Sequence, residues 1–206
     1  MLTVIKFIDK YAGKLICNFL GLFNKQRPVD NVKINNILVI QLWGIGETIL
    51  TLPAIEALRK KFPKAEINVL ATLRNRDVFY KNKDISNVIV LKLNPLSIFK
   101  FIIKNIRRYN LVIDMEEYLN ISAIMSFFVG RRAIGYSHGS RSKLYNIRIK
   151  YNDEQHAAQT FLDLARALDI DYAAVRLSKL NFSRIDKSIV DKFLKSNGIK
   201  NNDFVV

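Results

Sequence analysis

Cysteine occurs once in the 206 residues, at Cys17, and histidine twice, at His138 and His156. A single cysteine excludes an internal disulfide framework and a cysteine-rich zinc site. Two histidines are too few for a histidine-based metal centre, so no metal site is expected. A reducing, cytoplasmic compartment is the matching expectation. Acidic residues are also scarce, with 18 Asp+Glu against 33 Lys+Arg and a formal net charge of +15. That surplus draws polyanions: nucleic acid, an anionic membrane face or a phosphorylated substrate. The basic residues are spread along the chain and no recognition motif accompanies them, so nucleic-acid binding is not expected. No uncharged run of 18 residues exists, which argues against a membrane-spanning helix. The apolar stretch 15–23 lies too late and is too poorly flanked for a cleavable signal. Against these absences, half the residues are hydrophobic and 11% aromatic, enough for the core of one domain.

The first 23 residues are mostly apolar. Lys6, Lys10, Lys14 and Asn18 recur every fourth position and so share one helical stripe. Two readings stand open. The helix lies at a membrane interface with its lysines toward anionic headgroups, or it packs on the domain and exposes the lysine stripe. Residues 24–36, with Pro28, read as a linker, which makes 1–36 an amphipathic helix and linker.

From residue 37 onward strands and helices alternate. The runs 37–42, 66–71, 88–91, 111–114 and 133–136 are short, apolar and rich in branched side chains, as strands buried on both faces are. Helical patterns cover 47–62, 95–108, 120–129, 154–168 and 186–196. Pro53 marks a kink or a second start in the first of these, and 74–83 is short and helical or irregular. Residues 137–143 form a basic loop, and Gly198 stands where a helix C-cap belongs. The alternation predicts an α/β fold, a Rossmann-like doubly wound parallel sheet spanning 37–200. Residues 201–206 end in Phe204-Val-Val206, which looks like the opening of a further strand and of a second domain.

The turn Gly44-Ile-Gly-Glu-Thr48 carries most of the functional information. In an open parallel sheet, ligands bind beyond the carboxyl ends of the strands. Glycines admit close backbone approach, and a helix N-terminus offers N–H groups to an anion. Neither familiar nucleotide loop fits. Ile49 occupies the third glycine position of the dinucleotide fingerprint, Ala71-Thr72 closes the second strand where an acid is needed, and Walker spacing is absent. Glu47 falls on the first helical turn, where the dipole favours its ionised form. A carboxylate there can take a proton from a substrate hydroxyl, or serve as an ordinary cap; spacing alone leaves both open.

Residues 37–63, from Ile37-Leu-Val-Ile-Gln-Leu-Trp-Gly-Ile-Gly-Glu-Thr48 through Thr51-Leu-Pro-Ala54 to Phe62-Pro63, resemble the opening of glycosyltransferase family 9, the ADP-heptose:lipopolysaccharide heptosyltransferases. The resemblance extends to Tyr109-Asn-Leu-Val-Ile-Asp114, to Ile134-Gly-Tyr136 followed by Arg141, and to Gln155-His156 before a helix, covering about 37–206. It implies the N-terminal, acceptor-binding half of a GT-B enzyme, which transfers a sugar with inversion and without a required metal or cofactor. The donor, a nucleotide sugar such as ADP-heptose, would bind the second half, of which residues 204–206 would be the first strand. The acceptor would be a lipid-linked, lipopolysaccharide-like glycan at the inner face of the cell membrane, consistent with affinity for an anionic membrane surface. The family base is an Asp in the glycine turn, a position held here by Glu47, one methylene longer. The extension before Ile37 is additional to the usual family start.

The resemblance and the alternation together mark Gly44, Gly46, Thr48, Arg74, Asp114, Arg141 and His156 as acceptor-binding candidates. Guanidinium groups bind acidic sugars and phosphates bidentately, and Arg141 matches a family arginine. Asp114 ends the fourth strand, where it binds a hydroxyl or caps the next segment. His156 opens a helix and matches a family histidine. Arg76 and Lys143 read as surface charges, His138 as solvent-facing, and Trp43 as packed in the turn or stacked on a sugar. A non-catalytic, membrane-associated binding or remnant domain is the competing reading.

Overall fold

Six parallel strands form one sheet, and the order in which they pair fixes where a ligand can sit. The computed structural model describes residues 7–24, 33–170 and 179–199. Most of the expected linker and the expected strand at 204–206 lie outside the described residues. A π-helical turn, Asp9–Gly13, runs into helix α1, Lys14–Gly21. Then follow β1 (Asn36–Ile40), α2 (Ile45–Lys61), β2 (Glu66–Ala71), β3 (Asn87–Val90), α3 (Pro95–Lys104), β4 (Leu111–Asp114), α4 (Asn120–Val129), β5 (Ala133–Tyr136), β6 (Ile147–Ile149), α5 (Ala157–Arg166) and α6 (Arg184–Ser196). Short 3-10 segments stand at Arg76–Phe79 and Ser140–Leu144.

The strand order is β3-β2-β1-β4-β5-β6, with every pairing parallel. The chain therefore reverses direction across the sheet between β1 and β4. At such a reversal the connections leave to opposite sides, opening a crevice at the strand C-termini. The doubly wound architecture expected from the alternation is the one observed. Alternate residues of each strand feed two cores. Ile37, Val39, Ile67, Val69, Leu111 and Ile113 pack with α2 and α5. Leu38, Ile40, Leu70 and Val112 pack with α1, α3, α4 and the Ser140–Leu144 turn. Both faces are covered, which is why the strands read as unbroken apolar runs.

Three local features differ from the sequence pattern. Pro53 lies inside a helix that continues from Ile45 to Lys61 without a second start. The helix over 95–108 stops at Lys104, and Arg107 takes a positive φ of 52° in the turn beyond it. Strand β6 was not anticipated: it is three residues long, at the sheet edge, with exposed Arg148 at its centre. None of the residues of α6 is buried.

Candidate functional site

At the reversal point, a cleft of about 270 Å³ opens between the turn after β1 and the loop after β4. Gln41, Trp43 and Glu47 line it from one side, Glu116, Glu117 and Tyr118 from the other, with Tyr151 and Phe161 as further wall. Gly44 makes the turn possible. Its φ is +65°, and a Cβ built on it would fall on the Glu47 carboxylate. Glu47 therefore folds back over the glycine at the first turn of α2, exposed at the cleft. Among the described residues its carboxylate has no ion pair. Gly46 is exposed, and a Cβ there would meet nothing within 4 Å. The fold itself does not demand a glycine at that position.

Thr48 serves the turn from behind. It is buried, its Oγ1 donates to Gly44 O at 2.5 Å, and it accepts from Asn75 Nδ2 at 2.9 Å. Asn75 also donates to Gln41 O at 2.9 Å, tying the turn to the segment after β2. Gln41 Nε2 donates to Trp43 O, while Gln41 Oε1 is buried without a donor among the described residues. Arg74, exposed beyond β2, holds its guanidinium 5.7 Å from the centre of the Trp43 ring, a cation–π arrangement at the cleft rim.

Asp114 and Arg141 are not in the cleft. Both are buried in the layer between the sheet and α4, where Arg141 Nη2 meets Asp114 Oδ2 at 3.0 Å. The Tyr145 hydroxyl donates to the same carboxylate oxygen at 2.6 Å and accepts from Arg141 Nη2 at 2.6 Å. Burial pushes the Asp114 carboxyl above the usual range, against the pull of Arg141 and Tyr145. Asp114 Oδ1 then accepts from the Glu116 N–H at 3.1 Å. Glu116 in turn accepts, through Oε1, from the N–H of Leu42 at 2.5 Å and of Trp43 at 2.9 Å. A continuous chain of bonds thus runs from Arg141 through Asp114 and Glu116 to the turn that carries Glu47. Burial lifts Glu116 to about 7, partly offset by the two backbone donors.

The far wall is aromatic. His138 is half-buried rather than solvent-facing, with its ring 5.7 Å from Tyr118 and 5.9 Å from Tyr151. Its Nε2 pairs with Glu117 O at 2.5 Å. A hydrogen bond to Glu117 pushes the Tyr118 hydroxyl up to about 12. Burial, then Glu117, does the same for Tyr151, also to about 12. Both phenols stay protonated donors at neutral pH. Glu116, Glu117 and this aromatic wall escaped sequence reasoning.

The other candidates lie elsewhere. His156 caps α5, its Nδ1 accepting from Ala158 N at 3.2 Å. Lys143 reaches away to Asn18 Oδ1 of α1 at 2.9 Å, and Arg76 pairs with Asp77 at 3.4 Å on the surface. Among the described residues, no three His, Cys, Asp or Glu side chains form a set that could hold a metal ion. No described helix is long and apolar enough to cross a membrane.

The same architecture occurs in solved structures. A family 9 glycosyl transferase from Veillonella parvula superposes with a TM-score of 0.70 at 19% identity, over 81% of this chain and 50% of that one. The fold is that of family 9 glycosyltransferases. The E. coli ADP-heptose lps heptosyltransferase II gives a TM-score of 0.59 at 18% identity, covering 81% of this chain and 51% of that one. E. coli heptosyltransferase WaaC with ADP-2-deoxy-2-fluoro heptose gives 0.58 at 15%, covering 69% and 51%. The chain spans about half the length of these glycosyltransferases. No protein-family model and no curated protein matches the sequence. The likeness foreseen from the glycine turn is thus met at the level of the family 9 fold.

Proposed function

We propose that this chain is the N-terminal, acceptor-binding half of a GT-B glycosyltransferase that transfers a sugar, with inversion, from a nucleotide sugar to a lipid-linked glycan. The observation that carries the reading is Glu47, a carboxylate with no ion pair among the described residues, at the mouth of the cleft where this sheet reverses. Glu47 takes the proton of an acceptor hydroxyl. The hydroxyl oxygen attacks the anomeric carbon from the face opposite the nucleotide, and the bond from that carbon to the diphosphate oxygen breaks. Inversion follows, the proton rests on Glu47, and the nucleoside diphosphate leaves with the bonding pair. A donor such as ADP-heptose would be held by a second half.

The cleft supports an acceptor in the same terms. Tyr118, Tyr151 and Trp43 offer ring faces and hydroxyl donors to a sugar. Gln41 Oε1, without a donor among the described residues, could accept from a sugar hydroxyl. Gly46 leaves space over the helix N-terminus, and Arg74 stands at the rim for an anionic substituent. Thr48, Asp114, Arg141 and His156 serve from behind, as braces of the turn and of α5.

Transfer measured from ADP-heptose to a truncated lipopolysaccharide, with a donor-binding half supplied, tests the role of Glu47. Glu47→Gln is expected to lower the rate by roughly 10²–10⁴-fold while acceptor binding persists; Glu47→Asp, the residue that the family resemblance expects, retains transfer. The competing reading, a non-catalytic membrane-associated binding or remnant domain, draws on the presence of Glu where the family carries Asp. Acceptor binding without transfer, indifferent to Glu47→Gln, would decide for it.

A further inference from the structure

Helix α1 is docked the opposite way round from an ordinary amphipathic helix. Its inward side, beside Leu20, is a seam of small residues four apart: Gly13 of the π-helical turn, Cys17 and Gly21. A Cβ at Gly13 would stand 2.7 Å from Asn120 Cβ, and one at Gly21 would stand 2.7 Å from Lys143 Cβ. Polar bonds fix the orientation. Asp9 accepts from the N–H groups of Asn120 at 2.8 Å and Ile121 at 2.7 Å, at the start of α4. Asn24 donates to Lys143 O at 2.8 Å at the other end. Leu20 packs on the core beneath, while Ile8, Tyr11, Leu15, Phe19 and Leu22, spaced by three and four, point outward and are 54–80% exposed.

A second outward stripe lies on the same layer. Leu96, Phe99, Ile103 and Ile106 of α3 and its final turn are 54–62% exposed. Helix α4 packs against both α1 and α3, with half-buried Ile121, Phe127 and Phe128 between the stripes. The charges of this layer have one sign. The π-helical turn, α1, α3 and α4 carry Lys10, Lys14, Lys100 and Lys104, and the single carboxylate, Asp9, is occupied in capping α4. At the edge of the layer a groove of about 690 Å³ runs between Phe23 and Phe127. Arg107, Arg131 and Arg132 line it, and among the described residues no carboxylate does.

We propose that this three-helix face rests in the interface of an anionic lipid bilayer, with the apolar stripes at the acyl boundary and the arginine groove receiving lipid phosphate. Charge chooses the occupant. Apolar residues ringed by lysine and arginine, with no exposed acid on these helices, match negatively charged headgroups. Helix α6 shows the contrast: Ile185, Ile189 and Phe193 are exposed there too, but Asp191, unused in capping, stands among its basic residues, so its surface is of mixed sign. The inference extends the lipid-linked acceptor reading to a particular face. Vesicle binding and sugar transfer are measured separately, so either can fail alone.

The test is sedimentation of the whole chain with phosphatidylcholine vesicles, with and without 30% phosphatidylglycerol. Binding is expected only to the anionic vesicles and is expected to weaken with salt. Neutralising Arg131 and Arg132 together should weaken it roughly 25-fold, about fivefold for each charge. Leu15→Glu combined with Phe99→Glu should abolish it. These side chains are exposed, so an unchanged unfolding midpoint is expected alongside. An environment-sensitive dye on Leu22→Cys should shift to the blue with anionic vesicles, and one on Ser188→Cys in α6 should not; buried Cys17 stays unlabelled. Equal binding to neutral vesicles, no binding, or a wild-type dimer that Leu15→Glu dissociates would overturn the proposal, the last by assigning the face to a second copy.

Discussion

The cleft turns on a buried carboxylate that titrates near neutrality. Glu116 holds the N–H groups of Leu42 and Trp43 and is pushed up to about 7 by burial. In the unfolded chain its carboxyl returns to about 4.5. Below that value both states are protonated; between it and 7 only the folded chain holds the proton. The stability this group contributes is therefore full at low pH and lost as pH rises through 7, by about 3 kcal/mol in all. Buried Asp114, raised in the same direction, adds to the trend, while Arg141 opposes it. Glu116→Gln keeps an oxygen for the two backbone donors and removes one titration. Urea midpoints at pH 5 and pH 8 should show the wild type losing more stability than the variant across that interval. Parallel losses would show that Glu116 is not the group responsible.

At the scale of elements, α1 supplies its own reporter. Cys17 is fully buried against α4, and burial pushes its thiol up to about 12. Gly13→Val would drive a branched side chain into Asn120 and lift the helix. The expected cost is about 1–3 kcal/mol, and Cys17, unreactive toward a thiol reagent in the wild type, should become reactive at a rate set by helix undocking. A thiol still silent in Gly13→Val would show that the small-residue seam does not hold the helix. The elements themselves were largely legible, because strands buried on both faces read as apolar runs and the intervening helices carry their own period. β6 was not, since three residues centred on Arg148 leave no pattern. Within the site, Glu47 was legible from its place after the glycine turn. Glu116 was not: its importance comes from contact with Leu42, 74 positions away, and the local sequence shows only a loop acid. The placement of Asp114 did leave a signal. Val112 and Asp114 share a parity on β4, and Val112 packs on the α1–α3–α4 side, so the carboxylate belongs to that layer and not to the cleft.

The molecule as a whole joins a sheet reversal, which needs only its own hydrogen bonds and two cores, to a surface far from neutral. A net charge of +15 works against the folded state by self-repulsion. Among the described residues the ion pairs besides the buried Asp114–Arg141 pair include Glu56–Lys60, Asp77–Arg76 and Asp163–Arg166. Partly exposed pairs of that kind contribute about 0–1 kcal/mol each. Screening should therefore remove more repulsion than attraction. Raising sodium chloride from 20 to 200 mM, which shortens the screening length from about 20 Å to below 10 Å, is expected to raise the urea midpoint. The same change should loosen the chain from anionic vesicles, because there the positive charge has a partner. Opposite responses to one variable would tie the charge surplus to a surface outside the protein. A midpoint that falls with salt would instead mean that the lysines and arginines are engaged internally, and the basic face would lose its claim on a membrane.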